Sequence, residues 1–240
     1  MSKDYDWTFF DDIRCINLYT REDRYHQVNE IFQTFNIPVR FYQTHKHPNG
    51  GIQGCFESHI EIIREDYDKG FKNVLIFEDD VINSSYLTPK NLKRAIQFMQ
   101  NHDWDIFYLG THPDVRKYRV QHIVNGIYAM HCICTHAYCL SRNMMKKLYD
   151  LKFNGTPIDY LYRDYECKSY GIYPSLFYQR SSKSDIGGDI ISTIPIKEHW
   201  FRVVELYAIY INVPIDTLSR ILIVVIILIV ILVIYWKLTR

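Results

Sequence analysis

At 240 residues the chain is long enough for one α/β domain with a sizeable core and little more. Its 28 Lys and Arg against 27 Asp and Glu leave a net charge of +1. That balance excludes a global basic field that would recruit nucleic acid, and an acidic, disordered tail. Tyr (20) and Phe (13) are abundant, so aromatic side chains must build much of the core and line part of any cleft. Six cysteines are scattered through the chain, and residues 1–12 are polar, without a signal-peptide core. The thiols are therefore expected to be reduced and mostly buried.

Ile13 to Leu18 reads as a first buried strand. A helix follows over about Asp23 to Phe35, with Val28, Ile31, Phe32 and Phe35 at helical spacing. Val39 to Tyr42 suggests a second strand, and His45 to Gly51 a loop rich in Pro and Gly. Phe56, Ile60, Ile63 and Tyr67 make one helical stripe, ended by Gly70. Phe71 to Phe77 is then a strand whose end delivers Glu78, Asp79 and Asp80. Thr88 and Pro89 make a good helix start, with Leu92, Ala95, Ile96 and Met99 as its buried face. Asp105 to Leu109 is another short strand, and Tyr128 to Leu140 looks extended. Ser141 caps a helix carrying Met144, Met145 and Leu148. Strands alternating with helices predict an α/β fold, a mostly parallel sheet covered on both faces. Ile221 to Trp236 is an uninterrupted apolar run between Arg220 and Lys237, read as one C-terminal transmembrane helix.

Three successive carboxylates at the end of a hydrophobic strand are costly unless something positive compensates them. In a continuing strand Glu78 and Asp80 would point the same way and Asp79 the other. Hard oxygen ligands at a strand end suit magnesium or manganese, which could bridge a diphosphate. His131, Cys132, Cys134 and His136 look like a zinc cluster. In an extended segment, however, Cys132, Cys134 and His136 would be spaced too widely to close a tetrahedron. His199 is a further, weaker candidate for a late metal ligand.

The sequence resembles glycosyltransferase family 25, which contains lipooligosaccharide sugar transferases and collagen galactosyltransferases. The resemblance starts at Ile16-Asn17-Leu18 and Arg24, then passes through Gly54-Cys55-Phe56-Glu57-Ser58-His59 and Leu75-Ile76-Phe77-Glu78-Asp79-Asp80-Val81. It continues through Ala137-Tyr138-Cys139-Leu140-Ser141-Arg142 and Pro157-Ile158-Asp159, and ends at Pro174, Gln179 and Ser184-Asp185-Ile186. One departure is Glu57, where the family commonly has leucine; on a helix's first turn it would face solvent, and in the donor pocket it would disturb donor choice.

The resemblance implies a GT-A-type, Rossmann-like nucleotide-sugar-binding domain and a hexosyltransferase using a UDP-sugar and manganese or magnesium. Its metal ligands would be Glu78 and Asp80. Asn17, Arg24, Ser58, His59, Asp79 and Gln179 would lie on the nucleotide-sugar side, and Arg24 is the best placed chemically for phosphate or uracil. An inverting transfer needs a carboxylate base, for which Asp159 and then Asp185 are the candidates, although either could instead cap a turn. The acceptor would be a saccharide, a glycolipid or a collagen-like hydroxylysine, with no nucleic-acid partner. The alternative is a degenerate membrane-anchored module that binds sugar or a partner without turnover. The expected organisation is a catalytic domain over 1–199, a juxtamembrane linker over 200–219 and a transmembrane helix over 220–237. A sole C-terminal anchor would leave the catalytic domain cytosolic, as suits a bacterial cytoplasmic face or a large DNA virus.

Overall fold

The computed structural model describes residues 4–115 and 118–180, and beyond them 203, 205–207, 209, 210, 218, 221 and 222. Asp185, His199 and most of the 200–219 linker lie outside the described residues, as does the apolar run past Leu222. Among the described residues no helix is long and apolar enough to cross a membrane.

The chain opens on β1 (Asp12–Leu18), α1 (Glu22–Thr34), β2 (Arg40–Thr44), α2 (Gly51–Asp68) and β3 (Asn73–Glu78). A short β4 (Val81–Asn83), α3 (Pro89–Asn101) and β5 (Ile106–Tyr108) follow. Then come β6 (Gln121–Val124), β7 (Ile127–Ala129), β8 (Ala137–Ser141), α4 (Arg142–Leu148), α5 (Ile158–Asp164), β9 (Ser169–Ile172) and β10 (Phe177–Gln179). The main sheet has eight strands in the order β2-β1-β3-β8-β5-β9-β7-β6. Following the pairings across it, only β8 and β7 run against the other six, so the sheet is mostly parallel. β4 and β10 form a separate antiparallel pair.

Strand alternation builds a core on each face. From β3, Leu75 and Phe77 join Val28 and Phe32 of α1 and Leu92 and Met99 of α3. Val74 and Ile76 face the other way, onto Phe56 and Ile60 of α2, Met144 of α4 and Tyr162 of α5. A strand with apolar side chains on both faces is stable only between two helical layers, hence the continuous run from Val74 to Phe77. Helix starts follow local chemistry where it is present. The Asn91 backbone N–H donates to Thr88 Oγ1 at 3.2 Å, and the Met144 N–H to Ser141 Oγ at 3.2 Å.

The expected strand over Tyr128–Leu140 is two strands with an irregular segment between them, where Cys134 takes φ 76°. The hairpin of β6 and β7 was not anticipated, although Asn125-Gly126, at φ 45° and 71°, is a left-handed turn pair that only such residues adopt cheaply.

At the amino ends of β1 and β2 a charged network closes over α2. Arg14 Nη2 lies 3.0 Å from Glu65 and Nη1 3.4 Å from Asp66, while Arg40 pairs with Asp12. Asp66 is fully buried. Burial and then the neighbouring Asp12 raise its carboxyl from 3.8 to about 7. The folded state therefore holds this proton more tightly than the unfolded chain, so stability falls as pH rises from about 4 to about 7 and levels above that. Asp66→Asn should flatten that fall in urea unfolding between pH 5 and 6.5; parallel wild-type and variant curves would remove the assignment.

Candidate functional site

Strand order gives the site its place. From β1 the chain moves outward through α1 to β2, then returns past β1 through α2 to β3. The two helices pack on opposite faces, so they diverge at the carboxyl ends of β1 and β3. In open α/β sheets such a switch point is where ligands bind. A cavity opens there, walled by Asn17 and Leu18 of β1, Arg24 of α1, Cys55, Ser58 and His59 of α2, and Glu78, Asp79 and Asp80. Gln179 of β10 closes it.

β3 ends at Glu78, and residues 79 and 80 form a turn before β4. The strand alternation expected for the acidic triplet therefore stops one residue in, and Asp79 does not point away: all three carboxylates line the same cavity. Their partners differ. Asp79 accepts Arg24 Nη1 at 2.8 Å and Asn17 Nδ2 at 2.8 Å. Burial still keeps its carboxyl above the ordinary value. Asp80 accepts Gln179 Nε2 at 3.1 Å and lies 3.7 Å from Arg24 Nη1. The pairing of β10 with β4 sets Gln179 opposite Val81, which puts its amide beside Asp80. Glu78 accepts the Thr135 hydroxyl, and its Oε1 stands 3.4 Å from His59 Nε2. Burial pushes the Glu78 carboxyl up, but His59 and Thr135 outweigh it and hold it below its ordinary value.

Arg24, expected as a phosphate or uracil contact, lines the cavity and is turned onto the carboxylates, the compensation that three neighbouring acids require. Ser58 and His59 stand within α2. α2 begins at Gly51, so both lie about two turns in, where Ser58 Oγ donates to the Gly54 carbonyl at 2.7 Å. The earlier start also moves Glu57 off the first turn. Its side chain accepts Gln53 Nε2 at 2.6 Å and sits 3.2 Å from His47 Nε2, outside the acidic cavity.

His59 is fully buried, with Nδ1 2.7 Å from the Tyr138 hydroxyl, which is 3.2 Å from that of Tyr162. Nε2 is buried and makes no hydrogen bond. Among the described residues, Cys55, His59 and Glu78 are the group of three whose ligand atoms all lie within 4.8 Å of one another. Burial, then the Glu78, Asp159 and Asp80 carboxylates, push the Cys55 thiol well up. Cys55 had a sequence signal, since it stands four residues before His59 on a helix. Thr135 had none, as it meets Glu78 only through the pairing of β3 with β8.

A second cavity shares Cys55, Glu78 and Gln179 with the first and adds Cys134, Thr135, Asp159 and Tyr160. Asp159 Oδ1 accepts its neighbour's backbone N–H, that of Tyr160, at 2.9 Å, and Oδ2 that of Cys134 at 3.3 Å. Burial raises this carboxyl above its ordinary value against those two donors, and Glu78 adds to the rise. The irregular path through Cys134, rather than an extended strand, is what brings its N–H to Asp159. In the same stretch His131 Nδ1 donates to the Arg163 carbonyl at 2.7 Å. All six cysteines lie among the described residues, and none is in a disulfide.

A sequence model of glycosyltransferase family 25 (LPS biosynthesis protein) matches residues 26–162. A rat (Rattus norvegicus) relative, "Probable inactive glycosyltransferase 25 family member 3", is 34% identical over 103 residues, 41% of this chain and 18% of its own length. Zebrafish (Danio rerio) "Procollagen galactosyltransferase 1" is 31% identical over 87 residues, 33% of this chain and 14% of its own. The chain thus spans less than a fifth of the length of these relatives. A solved UDP-glucose pyrophosphorylase complexed with UDP-glucose superposes with a TM-score of 0.42 at 12% identity, over 80% of this chain and 81% of that one.

Proposed function

The chain belongs to glycosyltransferase family 25, and we propose that it transfers a hexose, galactose or glucose, from a UDP-sugar to a hydroxyl of a saccharide, glycolipid or hydroxylysine acceptor. The fold would be of GT-A type. The cavity at the ends of β1 and β3 takes the donor, and the cavity beside Asp159 takes the acceptor. What carries this reading is that the two cavities share Cys55, Glu78 and Gln179, so a sugar carbon and an attacking hydroxyl can meet above the acidic strand end.

Anion binding has a backbone source as well as side chains. The first turn of α2 lines the donor cavity through Gly51 and Gly54, and the amides of a helix's first turn favour a diphosphate. A side chain at Gly54 would come within 2.8 Å of His47 Cβ, so glycine lets this turn close against the loop carrying Lys46 and His47. Lys46 lines the same cavity and adds a cation near that turn.

Glu78 and Asp80 present carboxylate oxygens on one wall, a donor set that fits magnesium or manganese. A cation held there would offset the charge gathering on departing UDP. Arg24 holds Asp79 and approaches Asp80, fixing the acidic wall before substrate arrives. Asp159 takes the proton from the acceptor hydroxyl as that oxygen attacks from the second cavity, an inverting displacement. Its two backbone donors fix the carboxylate's direction, and the raised basicity that burial gives it favours proton uptake.

A panel of UDP-hexoses assayed for UDP release, with and without manganese and each acceptor class, tests the assignment. Metal-dependent release from one donor, stimulated by an acceptor, is the expected result. Tight UDP binding without release from any donor would favour the degenerate module.

A further inference from the structure

We propose that Cys55, His59 and Glu78 form a thiolate-containing metal site that takes a borderline-soft divalent cation of the zinc class, with one coordination position open to the donor cavity. This goes beyond the oxygen-held cation of the sugar-transfer reading, with which it shares only Glu78; a carboxylate has two oxygens and can serve both. Three observations converge. Cys55 and His59 are spaced i, i+4 on α2, so Sγ and the imidazole project from one helix face over the end of β3. Their ligand atoms and a Glu78 oxygen already lie within 4.8 Å of one another. Tetrahedral ligation with bonds of 2.0–2.3 Å asks for roughly 3.6 Å between ligand atoms, so closing by about an ångström of side-chain movement suffices.

The third observation is the state of His59. The ring is fully buried, and the acceptor before Nε2 is the Glu78 oxygen at 3.4 Å, a contact that falls short of hydrogen-bond geometry. A buried polar atom left in that condition is costly unless something else binds it. A metal on Nε2 fixes the proton on Nδ1, which then donates to the Tyr138 hydroxyl 2.7 Å away. The Tyr138 hydroxyl in turn donates a hydrogen bond to that of Tyr162 at 3.2 Å. That arrangement is the outer support metal-bound histidines need. Sulfur, imidazole and carboxylate together select zinc or cobalt over magnesium, which prefers oxygen alone. On binding, a metal–sulfur bond forms, the Cys55 S–H bond breaks and one proton leaves to solvent; no electron is transferred.

The full chain, stripped by chelator, is titrated with cobalt(II) and read by absorption. A sulfur-to-cobalt charge-transfer band in the near ultraviolet, saturating at one equivalent, displaced by zinc and accompanied by release of about one proton, is expected. Cys55→Ser should abolish the band, while Cys167→Ser, outside this cavity, keeps it. Should Cys55→Ser fail to fold, zinc protection of Cys55 from alkylation in the wild type, mapped by mass spectrometry, decides the same point. No band, a band that survives Cys55→Ser, or Cys55 alkylated equally with and without zinc would overturn the site. UDP release measured on the same preparation separates the two readings: release without a cobalt–thiolate band sinks the metal site and leaves the sugar transfer standing.

Discussion

Replacing Asp80 by alanine should lower UDP release by roughly 10²–10³-fold, the scale seen when one preorganised electrostatic partner of a developing charge is removed. Asp80 is only 8% exposed and lines the cavity that Glu78 and Asp79 also line. It receives Gln179 at 3.1 Å and lies 3.7 Å from Arg24, so its carboxylate is fixed before any substrate binds. In the variant Arg24 keeps Asp79, which limits the loss of fold stability, but half of the proposed oxygen ligand pair is gone. Manganese dependence and UDP affinity, measured by calorimetry with and without the ion, should weaken together. An Asp80→Ala enzyme with wild-type turnover and wild-type manganese response would remove the acidic wall from the mechanism.

Asp159→Asn is expected to cut turnover by about 10²–10⁴-fold, the contribution typical of a positioned general base. UDP affinity should stay within about twofold, because Asp159 lines the second cavity and not the first. The pH profile separates a base from a merely structural carboxylate. A base works deprotonated, so wild-type kcat/KM should fall as pH drops through the carboxyl's pKa. Burial has moved that pKa upward, and the acid limb should therefore lie above the range of an ordinary aspartate. The asparagine retains an oxygen to accept a backbone N–H, so the local turn should survive while the acid limb disappears. An unchanged acid limb in Asp159→Asn would assign the base elsewhere.

Much of the frame was legible in residue order. The apolar run before Glu78, the stripe from Phe56 to Tyr67 and the Thr88-Pro89 start each obey a local rule, and each element exists. The acidic strand end could be found because three adjacent carboxylates after buried residues demand compensation wherever they lie. Local rules failed where a segment's path is set by distant partners. The stretch from Met130 to His136 reads as strand, but Pro113 bridges to Cys132 and Asp159 draws in the Cys134 N–H, which breaks it. α2 starts earlier than the stripe from Phe56 suggests, because Gly51 and Gly54 are poor helix formers that hide its first turn. Close approach to His47 is a reason for Gly54 that only the packed chain reveals.

By itself the sequence determined the α/β class, the family resemblance and the acidic triplet at the end of β3, because periodicity and motif order are properties of neighbouring residues. Which way each acid points, and what holds it, was decided by tertiary structure. Arg24 and Asn17 reach Asp79 across 55 and 62 positions, and Gln179 reaches Asp80 across 99. No local spacing encodes contacts of that range. They arise because strands remote in sequence lie side by side in the sheet, and because buried charge is stable only where such partners converge.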